Sequence, residues 1–196
     1  VAQNPGTPAT TAVLVPVKSF RIAKARLAPA LDPAARARLA RSMAEHVVLA
    51  AAPLPVAVVC DDPDVARWAR TLGASVIDEP GKGLNGAVTA GVAHLRRAGI
   101  GEVVVAHGDL PWAKSFEQIT GFDGITLIPD RHHDGTNVVC LPPGVDLVFS
   151  YGPGSFHRHL ALATDSGAAV RVLRPPELTW DVDVPSDLSI SAKERW

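Results

Sequence analysis

Four short apolar runs in the first half of the chain, each followed by a stretch of helical period, restrict this sequence to few architectures. Ala12–Lys18, Val56–Cys60, Ser75–Asp78 and Glu102–Ala106 are rich in β-branched residues and read as strands. Between them, Asp32-Pro33 supplies an N-cap and a first-turn proline for a helix to about Ala51, with Leu39, Met43, Val47 and Ala50 on one face. Pro63–Leu72 is a helix stopped by Gly73, and Leu84–Ala98 one closed by Gly99. Strand–helix alternation of this kind predicts an α/β fold with a mostly parallel sheet and helices on both faces. After the fourth strand the rhythm changes. Lys114–Ile119 is at most a short helix, Gly124–Ile128, Thr136–Leu141, Leu147–Ser150, Val170–Leu173 and Thr179–Val182 read as strands, and Gly154–Ala163 and Pro185–Lys193 as helices. The second half therefore makes the sheet mixed. Residues 12–196 are expected to form one domain, with the polar, Pro/Gly-bearing segment 1–11 a flexible tail.

A net charge of -1 gives no electrostatic case for a nucleic-acid or membrane-surface partner. The longest apolar stretch, Val47–Cys60, is broken by Pro53 and Pro55 and is too short to span a bilayer. Cys60 and Cys140 lie in apolar strand-like runs, so buried free thiols are expected, and with no secretory signal a cytoplasmic location.

Two acidic turns stand at strand ends, where open α/β sheets place their ligands: His107-Gly-Asp-Leu-Pro111 and Trp180-Asp-Val-Asp-Val-Pro185. On a strand, Asp181 and Asp183 share a face and can hold one hard cation between them, with Asp109 a third carboxylate from a neighbouring strand. Few carboxylates with room for substrate oxygens suit Mg2+. The alternative is plain turn and cap chemistry, with Asp187 starting the last helix. After the first strand, Lys18, Arg21, Lys24 and Arg26 gather on one loop, which suits a triphosphate or is a solvated basic loop. Gly81-Lys-Gly-Leu-Asn-Gly86 is formally a G-x-G-x-x-G, a dinucleotide-binding signature by pattern, but it follows the third strand rather than the first, and Glu79 and Pro80 separate it from that strand. It is not a phosphate-binding P-loop, because no Ser or Thr follows Lys82. A third reading brings its backbone close to a base or ribose, with Asn85 offering amide hydrogen bonds. Ser150-Tyr-Gly-Pro-Gly-Ser155 ends one strand and opens a helix. Its exposed N–H groups and Ser155 hydroxyl suit a phosphate or carboxylate, or simply cap the helix. His132, His133 and Asp134 on one loop are a weak metal signal, and His157 and His159, two apart on a helix, face different ways. No Ser/His/Asp or activated-cysteine arrangement is legible.

Taken in order, Pro16-Val-Lys18 with Ala23-Lys-Ala-Arg-Leu27, Leu84-Asn85, Gly108-Asp-Leu-Pro111, Pro129-Asp-Arg131 with Gly135-Thr-Asn137, Tyr151-Gly-Pro-Gly-Ser-Phe156 and Asp181-Val-Asp183 resemble a known set. It is that of the 2-phospho-L-lactate/phosphoenolpyruvate guanylyltransferase family of deazaflavin coenzyme F-420 biosynthesis. The resemblance runs from Val13 to Leu188. It implies a Rossmann-like, GT-A-type nucleotidyltransferase fold. It further implies Mg2+ on Asp109, Asp181 and Asp183, GTP near Gly83, Leu84 and Asn85, and the phosphorylated acceptor on Thr136, Gly152 and Ser155. The sequence departs from the family pattern in the loop His132-His-Asp-Gly135 and in His107 and Trp112, all on the acceptor side.

The implied reaction is attack by an acceptor phosphate oxygen on the α-phosphorus of GTP, with pyrophosphate leaving. The nucleophile is already anionic, so no general base is needed, and the demand on the protein is neutralisation of two polyanions. Lys18, Lys24 and Arg26 are the catalytic candidates for that task. The expected partners are GTP and a small phosphorylated carboxylic acid, phosphoenolpyruvate first, with 2-phospho-L-lactate, 3-phosphoglycerate or a pterin phosphate as alternatives. A non-catalytic nucleotide-binding protein is the rival from another class, and the chain is expected to be a monomer or homodimer.

Overall fold

The computed structural model describes residues 10–79 and 81–191, with the side chains of 189–191 excepted. The segment expected to be a tail lies outside the described residues as far as residue 9. From Thr10 the chain belongs to the sheet, the Thr10 carbonyl accepting from the N–H groups of Gly101 and Glu102. Seven strands form one sheet in the order β3-β2-β1-β4-β6-β5-β7. They are β1 (Thr11–Pro16), β2 (Val56–Cys60), β3 (Ser75–Asp78), β4 (Glu102–Ala106), β5 (Ile125–Pro129), β6 (Thr136–Leu141) and β7 (Val170–Val172). The first four pair in parallel, β6 runs antiparallel between β4 and β5, and β7 returns parallel to β5.

Strands buried on both faces explain why β1, β2 and β4 read as continuous apolar runs without alternation. On one face α1 (Pro33–Ala50) and α2 (Pro63–Thr71) pack Val47, Val48, Val65 and Trp68 against Val13, Val15, Val58 and Val104. On the other, α3 (Gly83–Arg97) and α4 (Ser155–Asp165) pack Val88, Val92, Leu95 and Phe156 against Leu14, Val59, Val103 and Val139. The α1 start is capped as its sequence predicts, and the structure adds an Asp62 cap at the start of α2. Asp32 accepts from Ala35 N at 2.8 Å, and Asp62 from Asp64 N at 2.8 Å. Gly91 is where α3 presses on β1: a Cβ there would lie 2.7 Å from a Leu14 methyl carbon.

Two expected strands are not strands. Leu147–Ser150 is irregular, although Leu147, Phe149 and Tyr151 are buried while Val148 is exposed, the alternation that suggested a strand. Its inward side chains pack on the α3/α4 face, but β6 is already flanked by β4 and β5, so no ladder forms. Thr179–Val182 is not a strand either: Thr179 ends a helix and residues 180–182 are irregular. A short helix α5 (Pro176–Thr179) opens on consecutive prolines, and the N–H groups of Asp183 and Val184 then turn to the Asp187 side chain, at 2.7 and 2.8 Å, instead of a neighbouring strand. Asp187 lies in the last helix, α6 (Pro185–Ser191); the expected end of that helix, residues 192 and 193, lies outside the described residues.

From β1 the chain crosses to β2 on one side, while β4 lies on the other. This is a topological switch point, and the loops leaving the carboxyl ends of β1 and β4 open there into a common crevice.

Candidate active site

The loop after β1 carries the basic residues, and a short 3-10 turn, Ala25–Leu27, fixes its end. Leu27 is buried with Met43 of α1 and Val182, which pins the loop against both the first helix and the second acidic turn. Lys24 takes a left-handed backbone conformation, φ 55° and ψ 40°, which aims its side chain into the crevice. There its ammonium donates to Asp109 Oδ2 at 2.6 Å and Asp183 Oδ1 at 3.0 Å, while Arg26 Nη1 reaches Asp183 Oδ2 at 3.3 Å. Burial works against the Lys24 charge, but the Asp109 and Asp183 carboxylates outweigh it and hold its pKa above the ordinary value. Burial likewise opposes ionisation of Asp109, and Lys24 more than compensates, so this carboxyl stays below the usual range.

Asp181 and Asp183 do not share a strand face as expected, because the segment is a turn held from outside. Arg131 grips it: Nη1 donates to the Asp181 carbonyl at 3.0 Å, Nη2 pairs with Asp187 Oδ1, and the guanidinium lies 4.1 Å over the Trp180 ring. Trp180 in turn stacks on Trp112, centroids 4.6 Å apart. The Asp181 carboxyl is pushed up to about 7, first by burial and then by repulsion from Asp109, Asp183 and Asp130.

Two cavities meet over these residues. One, of about 460 Å³, is lined by Lys18, Lys24, Arg26, Ala40, Ala44 and Gly108 among others. The second, of about 370 Å³, is lined by Arg131, Thr136, Gly152, Ser155 and Asp181 among others. Arg26, Leu84, His107, Asp109 and Asp183 belong to the walls of both. Of the residues assigned to metal, GTP, acceptor or catalysis, all but two therefore line one or both cavities, whereas Arg21 of the basic loop turns away to pair with Asp64. Gly83 borders only a small neighbouring space of about 60 Å³ beside Lys18 and Asp61. Asn85 lines none of these spaces; its side-chain carbonyl accepts from Tyr151 N at 2.6 Å and so ties the start of α3 to the loop before α4.

On the second cavity, Asp130 gathers the loop after β5, accepting from the N–H groups of His132, Asp134 and Gly135 at 2.8–2.9 Å. The start of α4 is not open in the way the sequence suggests. Gly154 N donates to Asp134 Oδ2 at 3.1 Å, Phe156 N to the Asp134 carbonyl at 2.9 Å, and Ser155 N to the Gly152 carbonyl at 3.0 Å. The buried Thr136 and Ser155 nonetheless border the cavity. Thr136 and Ser155 are brought side by side, Ser155 Oγ accepting from Thr136 N at 3.0 Å with the two hydroxyl oxygens 3.5 Å apart. His133 contacts Arg174 rather than a metal-binding partner. His157 is exposed and His159 buried, the divergence their spacing predicts. Sequence reasoning gave Asp187 only the start of the last helix and gave no role to Arg131 or His159. Arg131 is adjacent to Asp130, but its link to Asp187 spans 56 residues, and no local pattern signals it.

Among the described residues no three His, Cys, Asp or Glu side chains form a ready metal-ligating group. The Lys24 ammonium stands among the carboxylates instead. Two features nonetheless fit a hard divalent cation: Asp109 Oδ1 is buried with no hydrogen-bond partner, and burial, then like-charged neighbours, disfavour the Asp181 carboxylate, which a cation would relieve.

This sheet, with a carboxylate-and-lysine crevice at its switch point, is that of a nucleotidyltransferase. The fold is similar to that of a nucleotidyl transferase from Methanothermobacter (TM-score 0.61, 14% identity, 94% of this chain and 96% of that one). It is also similar to a candidate nucleotide-diphospho-sugar transferase from Desulfovibrio desulfuricans (TM-score 0.73, 15% identity, 94% and 87%). The chain belongs to the guanylyl transferase CofC-like family, whose model matches residues 11–190. Relatives curated as phosphoenolpyruvate guanylyltransferase include those of Sphaerobacter thermophilus, 37% identical over 91% of each chain, and Rubrobacter xylanophilus, 39% identical over 90% of each.

Proposed function

We propose that this enzyme transfers GMP from GTP to phosphoenolpyruvate, releasing pyrophosphate and forming enolpyruvyl-diphospho-guanosine, in the setting of coenzyme F-420 biosynthesis. The observation that carries the reading is the pair of cavities sharing the wall of Arg26, Leu84, His107, Asp109 and Asp183. Two ligands seated there are in contact at that wall, as a direct transfer requires. The names of the relatives support the choice of donor and acceptor.

In this reading Lys18, Lys24 and Arg26 neutralise the triphosphate in the larger cavity, and Leu84, backed by Gly83 and Asn85, packs against the nucleotide. Thr136, Gly152 and Ser155 receive the acceptor. Asp109, Asp181 and Asp183 would hold Mg2+, which when bound supplies charge neutralisation between the two phosphates. The Lys24 ammonium, on Asp109 and Asp183, keeps those carboxylates together and withdraws toward the triphosphate as it enters. Burial holds the His107 imidazole below its ordinary pKa, so it stays neutral and adds no charge to the shared wall. No residue is asked to abstract a proton, because the attacking phosphate oxygen is already anionic. Two buried free thiols, Cys60 and Cys140, support a cytoplasmic setting, and no helix among the described residues is long and apolar enough to cross a membrane.

The test is pyrophosphate release with GTP, Mg2+ and, in separate reactions, phosphoenolpyruvate, 2-phospho-L-lactate and 3-phosphoglycerate. Turnover fastest with phosphoenolpyruvate is expected. Turnover only with another acid would replace the acceptor, and none with any would overturn the reading.

A further inference from the structure

His159 lies one helical turn beyond Ser155 on α4, on the same face, and is fully buried. Both ring nitrogens are engaged. Ser150 N lies 2.8 Å from Nε2, and a backbone N–H can only donate, so Nε2 is the bare nitrogen. The network thereby assigns the ring proton to Nδ1, which faces Thr136 Oγ1 at 2.9 Å. Burial first, and then the Arg158 cation, lower the imidazole pKa to about 4, so the neutral form persists at physiological pH. The ring is boxed edge-on by Tyr151, 4.8 Å between centroids, and by Phe149 at 6.3 Å.

The consequence falls on Thr136. Its oxygen takes the proton from Nδ1, and Ser155 Oγ, 3.5 Å away, is too distant to hold the hydroxyl hydrogen strongly. That hydrogen is left for whatever anion fills the cavity. A donor feeding a donor is polarised along the chain, which strengthens the last bond.

We propose that His159 is a positioning residue that fixes the Thr136 hydroxyl as a donor to the acceptor's anionic group. The inference rests on the reading that Thr136 contacts the acceptor. His159 touches no substrate itself. Its tautomer, set by the Ser150 backbone, decides which way the Thr136 hydroxyl points.

Two substitutions separate the two ends of the imidazole. In His159→Gln the amide lies where Nε2 was and keeps an acceptor for Ser150 N, but nothing donates to Thr136. In His159→Asn the amide lies where Nδ1 was and keeps that donor. We expect H159Q to raise the KM for phosphoenolpyruvate about tenfold, the loss of one charge-assisted hydrogen bond, with GTP affinity unchanged. H159N should stay near the wild-type KM. Thr136→Val should raise the same KM, and H159Q combined with T136V should add nothing further, because both remove one interaction. A purely structural histidine predicts additive losses and no rescue by asparagine, and that outcome overturns the inference. If T136V leaves the KM unchanged, the reading of the acceptor site fails instead. Should the variants fold poorly, nitrogen-15 NMR of the wild type decides: a neutral Nδ1–H tautomer across pH 6–8 is expected, and an Nε2–H tautomer or an imidazolium refutes the assignment.

Discussion

Replacing Lys24 by methionine removes the ammonium and keeps most of the stem. In the wild type the side chain is 10% exposed and its bond to Asp109, 21% exposed, is the sheltered one at 2.6 Å. A charge-assisted bond of this kind contributes about 1.5–3 kcal/mol. The bond to Asp183 counts for less, because that carboxylate is 46% exposed and solvent screens the pair to a few tenths of a kcal/mol, roughly. The sum is about 2–3 kcal/mol, or a fall of roughly 5–10 °C in melting temperature for a chain of this size. Thermal melts in EDTA measure it. Mg2+ then gives the decisive comparison. Present at about 100 times its Kd it adds about 2.7 kcal/mol to the folded state, so it should return most of what K24M lost. The wild type should gain less, since there the cation must first displace the ammonium. Turnover of K24M should stay low throughout, because the triphosphate has lost its lysine. If K24M melts with the wild type in EDTA, or Mg2+ raises both proteins equally, then Lys24 does not stand in the cation's place.

Asp109→Asn and Asp181→Asn should each lower pyrophosphate release by at least about a thousandfold if the carboxylates hold the metal; near-normal rates would remove them from the site. Asp187→Ala removes the buried carboxylate that pairs with Arg131 Nη2 and leaves two backbone N–H groups unpaired, a loss of about 3 kcal/mol by urea denaturation, while Asp187→Asn keeps one acceptor and should lose less. Asp62 is held below its ordinary pKa by the Ser19 hydroxyl first, against its own burial, and then by the N–H groups of Asp64 and Val65. Its contribution is therefore present above the unfolded value of 3.8 and lost as pH falls through the lower folded value. Asp62→Ala should cost about 1 kcal/mol at neutral pH and little in strong acid, and a difference that grows on acidification would contradict the sign. Gly91→Ala should destabilise, by about 1 kcal/mol or more, despite alanine's better helix propensity, because Leu14 has no room to move; a higher melting temperature would show that it does.

The strands and helices of the first half were readable from their residues because each is set locally. Asp32-Pro33 and Asp62-Pro63 cap their own helices, and a run such as Val103–Val105 is buried on both faces wherever it sits in the sheet. The same locality explains the two errors. Leu147–Phe149 has the alternation of a strand, but pairing needs a free neighbour, and β6 has none to offer. The turn at Asp181–Asp183 has the residues of a strand end, but Asp187 and Arg131 take its N–H and carbonyl groups. In the site, residue types alone picked out groups that the structure brings to the two cavities: the carboxylates after β4 and before α6, the cations after β1, and the hydroxyls of Thr136 and Ser155. Their relations were not in the sequence. That Lys24 bridges Asp109 and Asp183, across 85 and 159 residues, follows from β1 and β4 lying side by side at the switch point and from Arg131 and Asp187 holding the Asp183 turn beside them. That Asn85 holds Tyr151 and His159 orients Thr136 follows from α3 and α4 covering one face of the sheet. The sequence determined which residues carry charge, donors and caps, because those are properties of single side chains and their nearest neighbours. Which of them meet, and which proton points where, was decided by packing, because distance between remote residues is set only when the sheet and its helices close around one another.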